Sequence, residues 1–171
     1  MLDLFKQLLV DQFEAALCTL NACVDRCPDA MWNAPVGNLA FCQAAFHAVF
    51  YADLYLGHNE EEVRRQPFHL AHEQVFRDYE ELEKRRQQLF YDRPFIQSYV
   101  EHCRDKARAA VTAETEASLA GPSGFPWLKF PRGELYVYNI RHIQHHAAQL
   151  SLRLRLDAAE QIPWFGSGWH K

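Results

Sequence analysis

Three histidines crowd into Arg141-His142-Ile143-Gln144-His145-His146-Ala147-Ala148-Gln149-Leu150. His142 and His146 are spaced i,i+4, which on a helix sets two imidazoles on one face, roughly 40° apart. Two such nitrogens can meet one divalent ion. A third ligand from another helix would complete a set with coordination positions left open for water or substrate, as in catalytic rather than closed structural sites. His47 is the candidate for that third ligand. Its helical face carries Gln43, Ala44, Phe50, Tyr51 and Leu54, so it points inward, where an unpaired polar ring costs free energy. Taken alone, a satisfied core histidine is the commoner explanation. His142 and His146 change the balance, because their face (Leu135, Tyr138, Asn139, Gln149, Leu150) is also inward and only neutral, partnered rings tolerate burial one turn apart. His145 lies about 60° to the other side of His142. It can replace His146 as ligand but reads better as a neighbour of the site or a surface residue.

The remaining candidates carry less. His69 and His72 follow Pro67 and read as a solvated turn and helix start; His58, His102 and His170 are isolated. Cys23 and Cys27 are also i,i+4, yet free cysteines are commonly small buried residues and Pro28 ends their helix. No His-Glu-x-x-His, Glu-x-x-His, Cys-x-x-Cys-His or phosphate-cradling glycine loop occurs, which disfavours zincin, carboxylate-bridged di-iron, covalent-haem and nucleotide chemistries.

The elements that must position the histidines are helices, since apolar residues recur at helical spacing and no strand alternation appears. A first helix is expected over residues 2–24, with an apolar face (Leu4, Phe5, Leu8, Leu9, Phe13, Leu17, Leu20) wider than one bundle contact requires and suited to a subunit interface as well. Asn38 is expected to cap a second helix that runs to Leu56 and stops at Gly57. A charged helix is expected over 72–90, another from Phe95 to about Leu119 with Pro94 in its first turn, and a last one from Glu134 to Asp157. Between the last two, 121–131 is rich in glycine and proline and must be a loop. A tail with Trp164 and Trp169 is expected to fold back on the bundle or on a partner. The fold class is therefore all-α: a single domain over 1–171, a four-helix bundle with one additional connecting helix.

Composition agrees with a globular chain. Apolar residues make up 49% of the 171, and the net charge of −4 comes with no basic block, which argues against nucleic acid as a partner. No stretch approaches the roughly 20 apolar residues of a membrane span. The start Met-Leu-Asp-Leu-Phe-Lys lacks a basic region and cleavable apolar run, and the five cysteines are an odd number, so a cytoplasmic protein with reduced thiols is expected.

The segment 141–150 resembles the last-helix signature of the DinB/YfiT-like superfamily of metal-binding four-helix bundles, a histidine, three residues, then His-x-x-Gln-Leu. His47 within Phe46-His-Ala-Val-Phe-Tyr-Ala-Asp-Leu-Tyr-Leu56 looks like that family's second-helix ligand, and the similarity spans essentially the whole chain. The resemblance implies His47, His142 and His146 as ligands of a divalent ion, Zn, Ni or Fe. It also implies hydrolase chemistry, or S-transferase or isomerase chemistry with a low-molecular-weight thiol, in a homodimer acting on a small molecule. The chain departs from the family at Ala147-Ala148, where many relatives carry Arg-Gly, and in the charged segment 72–90.

Gln43, Tyr51, Tyr138, Asn139, His145 and Gln149 lie within about a turn of the ligands and are candidates to orient them or a substrate. No Asp or Glu falls on the ligand faces, and Asp53, six residues past His47, points elsewhere. A general base is thus missing, which favours thiol chemistry over hydrolysis. Two alternatives remain: a non-catalytic metal- or ligand-binding bundle, and a structural oligomer whose histidines bind nothing.

Overall fold

The computed structural model describes residues 1–170. Four long helices form a bundle: α1 (Leu2–Arg26), α2 (Phe41–Leu56), α6 (Arg93–Ala113) and α8 (Arg132–Ala158). Helices α1 and α2 each pack against both α6 and α8 and barely touch one another, so they sit diagonally. One apolar cluster fills the centre, with Phe13, Phe41, Phe50, Leu54, Tyr99, Leu135 and Tyr136 all essentially solvent-free. No helix among the described residues is long and apolar enough to cross a membrane.

Several boundaries differ from expectation. Helix α2 begins at Phe41 rather than after Asn38, because β1 (Pro35–Val36) and β2 (Leu39–Ala40) pair as a minimal hairpin around Gly37, at φ +65°. The side chain of Gln43 then caps α2, its Oε1 accepting from Ala40 N at 2.9 Å. The helix expected to reach Leu119 ends at Ala113. Glu114 turns inward to Arg132, and Thr115 caps the separate α7 (Glu116–Ala120) by accepting from Ser118 N.

The largest correction concerns the charged segment. The single connecting helix is replaced by α3 (Glu60–Arg65), α4 (Pro67–Ala71), α5 (Glu73–Phe76), a 3-10 turn at Glu80–Leu82 and an extended return to Asp92. Glu80 and Glu81 are buried, and a buried carboxylate needs partners. Glu80 finds its partners in Arg85 (3.0 Å) and the backbone N–H groups of Gln88 (2.9 Å) and Leu89 (3.1 Å), which the extended return leaves free to donate.

His69 and its neighbours also overturn the solvated-turn reading. His69 is buried and bonds Asp53 at 2.7 Å, while its other nitrogen meets the Tyr79 hydroxyl at 2.9 Å. Asp53, solvent-free on α2, additionally accepts from Tyr99 (2.8 Å), Gln66 (2.7 Å) and Lys106 (2.5 Å), and His102 stands 3.5 Å away. Burial would raise the Asp53 carboxyl, but nearby His102, the hydrogen-bonded His69 and the Lys106 charge hold it well below the usual range. This network pins α4 to α2 and α6.

The tail does fold back. Gly168 N donates to Asp11 O at 3.0 Å, and the Arg104 guanidinium lies 4.6 Å from the centre of the Trp169 ring. Leu4 and Leu8 on α1 remain exposed.

Candidate metal centre

The positions of the three histidines follow from how α2 and α8 are clamped. Buried Arg132, at the start of α8, donates to the carbonyls of Leu56 (3.0 Å) and Gly57 (2.6 Å), capping the end of α2. Further along, Asn139 donates to Ala52 O at 2.9 Å. The two helices therefore run antiparallel, and His47 comes to face His142 and His146.

The ring centroids are 5.4 Å apart for His47–His142, 4.7 Å for His47–His146 and 4.6 Å for His142–His146. One nitrogen from each lies within 4.8 Å of the others, and this trio is the one group of three or more His, Cys, Asp or Glu so disposed among the described residues. Nitrogens bound tetrahedrally to one Zn²⁺ at about 2.1 Å stand ~3.4 Å apart, so the rings must draw together by about an ångström to share an ion.

Burial and like-charge neighbours keep the His142 and His146 rings neutral. Burial, with the neighbouring His146 and His47, pushes His142 down to about 3, and burial, His47 and His145 push His146 down to about 4. Neutral imidazoles offer lone pairs, the form a metal requires. His142 Nδ1 is moreover buried with no hydrogen-bond partner, an orphaned polar atom of the kind that otherwise costs stability. These residues fit a divalent ion.

Two orienting contacts leave the other nitrogens free. His47 Nδ1 lies 2.7 Å from Glu81 Oε2; a carboxylate only accepts, so Nδ1 carries a proton and Nε2 is the nitrogen left to offer a lone pair to an ion. His146 Nδ1 likewise donates to Gln149 Oε1 at 3.0 Å, while Gln149 Nε2 donates to His145 Nε2 at 3.2 Å. His145 itself is exposed and stands outside the trio.

The other candidates are placed as follows. The Tyr51 ring lies 4.8 Å from His47 and 5.6 Å from His142, its hydroxyl donating to Glu81 O at 2.9 Å. Tyr138 lines, with Arg141, His142 and His145, a cavity of about 490 Å³. Asn139 serves the helix clamp, and Gln43 is spent on capping α2 and on Leu89 O at 3.0 Å, so neither orients a ring. The residue missed from the sequence is Glu81. It arrives from outside both histidine-bearing helices, and no local signal in the sequence marks it.

The cysteines keep the plain reading. All five are free and buried, and burial pushes the Cys23 thiol up to about 12 and Cys27 up to about 11, away from thiolate ligation.

No curated protein and no solved structure matches this chain. A family model described as DinB superfamily matches residues 12–150, a span that contains α2, the charged segment and all three histidines, and the chain therefore belongs to the DinB superfamily.

Proposed function

We propose that the protein is a metal-dependent enzyme acting on a small molecule, with His47, His142 and His146 holding one divalent ion. The observation that carries the reading is the buried, partnerless Nδ1 of His142 within a cluster of three converging imidazoles. Zn²⁺ is the first candidate, and imidazole donors also suit Ni²⁺ and Fe²⁺. A divalent ion bound there supplies Lewis acidity, lowering the pKa of a coordinated water or thiol.

The chain's own groups favour thiol S-transfer over hydrolysis. Glu81 is the carboxylate beside the cluster, but its Oε2 is engaged by His47 and its Oε1 by Gln87 Nε2, so it does not stand free as a general base. A low-molecular-weight thiol needs no such base once its proton is lost to the solvent. Solvent reaches the trio at His47, whose side chain is 24% exposed, and through the cavity beside Tyr138 and Arg141, wide enough for a small substrate. Exposed Leu4 and Leu8 on α1 support a homodimer as the working assembly.

The test is to load the protein with Co²⁺ and titrate it with cysteine and glutathione. The S-transferase reading expects a sulfur-to-cobalt charge-transfer band in the near ultraviolet. A Co²⁺ spectrum indifferent to both thiols contradicts it and leaves hydrolysis or a passive metal-binding bundle.

A further inference from the structure

Glu81 contacts His47 and is itself held from several directions. Its side chain is only 2% exposed, its Oε2 lies 2.7 Å from His47 Nδ1, its Oε1 accepts from Gln87, and its carbonyl accepts from Tyr51 at 2.9 Å. The 3-10 turn that carries it follows Tyr79, whose backbone lies in the left-handed region at φ +47°, a strained conformation for a tyrosine. Tyr79 is locked there by His69, at 2.9 Å from its hydroxyl, and by the Arg64 guanidinium 4.0 Å from its ring centre. His69 in turn is anchored on Asp53. A connection with buried partners along its length thus delivers one carboxylate to one imidazole.

We propose that Glu81 is the positioning residue of the metal centre: it fixes the His47 tautomer and ring orientation so that Nε2 faces the ion, and it makes that nitrogen a better donor. This rests on the three-histidine reading above. A carboxylate hydrogen-bonded to the far nitrogen of a histidine ligand both orients the ring and raises its basicity, and loss of such a partner typically weakens metal binding about 10–100-fold. Glu81 is not itself a ligand, since it is outside the group of mutually close donors and both its oxygens are taken. The segment 58–92 that wraps the bundle thereby acquires a function: it sets how tightly the site holds its ion.

The experiment measures Zn²⁺ affinity by competition with a chromophoric chelator, for wild type, Glu81→Gln, Glu81→Ala, His47→Ala and the double variant His47→Ala/Glu81→Gln. Apoprotein melting is recorded alongside. The isosteric glutamine keeps the packing, so it remains informative if the alanine variant fails to fold. The proposal expects Glu81→Gln to bind about 10-fold more weakly than wild type, and no further loss from Glu81→Gln once His47 is gone. Equal affinities for wild type and Glu81→Gln overturn it. An equal loss in both His47 backgrounds also overturns it, because a merely structural role would act without His47. Wild type that takes up no Zn²⁺ overturns the metal reading itself, and Glu81's role with it.

Discussion

The Arg132 guanidinium donates to Gly57 O at 2.6 Å, and this contact lies ten residues before His142 on α8 and ten after His47 on α2. At about 1.5 Å rise per residue, antiparallel helices clamped there come level again ~15 Å away, where the imidazoles meet. Glu114 completes the clamp, bonded by Arg132 at 3.1 Å and Tyr136 at 2.6 Å. Burial would raise the Glu114 carboxyl, but bonds from Ser118, Tyr136 and Arg132 hold it below its ordinary value. Arg132→Met strands Glu114 and uncaps α2. Urea unfolding should show a loss of about 3–5 kcal/mol, the usual cost of removing one partner of a buried pair. A loss under ~1 kcal/mol would mean the clamp does not hold the register.

The Asp53 network should anchor the segment 58–92. Asp53→Asn removes the charge facing Lys106 and His69, and a loss of about 2–4 kcal/mol is expected, with faster amide exchange across α3–α5 than in α1 or α8. Its folded-state pKa is depressed, so its stabilisation is present above the ordinary carboxylate range and disappears as the pH falls towards its folded value. Acid titration should therefore destabilise wild type below about pH 4 more steeply than Asp53→Asn. Parallel acid profiles would contradict this.

Apoprotein stability should also depend on pH through the histidines, with the opposite partner logic. His142 and His146 are depressed to about 3 and about 4, below the ordinary value of about 6.5. Between those limits the unfolded chain binds more protons than the folded one, so stability falls as pH drops from about 6.5 towards 4. Each ring contributes a slope of at most about 1.4 kcal/mol per pH unit, reduced by its partial exposure. Thermal melts of metal-free protein at pH 7 and pH 5 should differ by several degrees, and His142→Gln/His146→Gln should flatten the difference. Equal melting of wild type at both values would show that the rings are not buried neutral.

Gly124 should tolerate no side chain. Its φ is +94°, and a Cβ there would sit 1.9 Å from His58 O, a backbone atom that cannot swing away. Gly124→Ala should cost about 2 kcal/mol or more, read from urea midpoints, and should loosen the loop 121–131. An unchanged midpoint would mean the loop does not lie against the His58 backbone.

The long helices and the His142–His146 pair were legible because their signals are local, whereas His47 was joined to them by the family resemblance. Helical periodicity marks α1, α2 and α8 to within a few residues, and i,i+4 spacing puts His142 and His146 on one face. Gln149 was legible for the same reason, three residues from His146. Glu81 was not, because its contact spans 34 positions and depends on a left-handed Tyr79 that no propensity announces. His69 was misread because its proximity to Pro67 suggested a solvated turn, whereas a buried Asp53 sixteen residues earlier pulls it inside. Asn38 lost its capping role to a two-residue hairpin, and Gln43 took that role instead. Polar residues were harder to place than apolar ones because their partners, rather than their period, decide where they go.

The central claim is that three imidazoles from α2 and α8 share one ion, and metal content of protein purified without a histidine tag tests it most directly. The account predicts about one divalent ion per chain in wild type and almost none in His47→Ala or His146→Ala, each still folded. Wild type without metal, or variants that retain it undiminished, would contradict it.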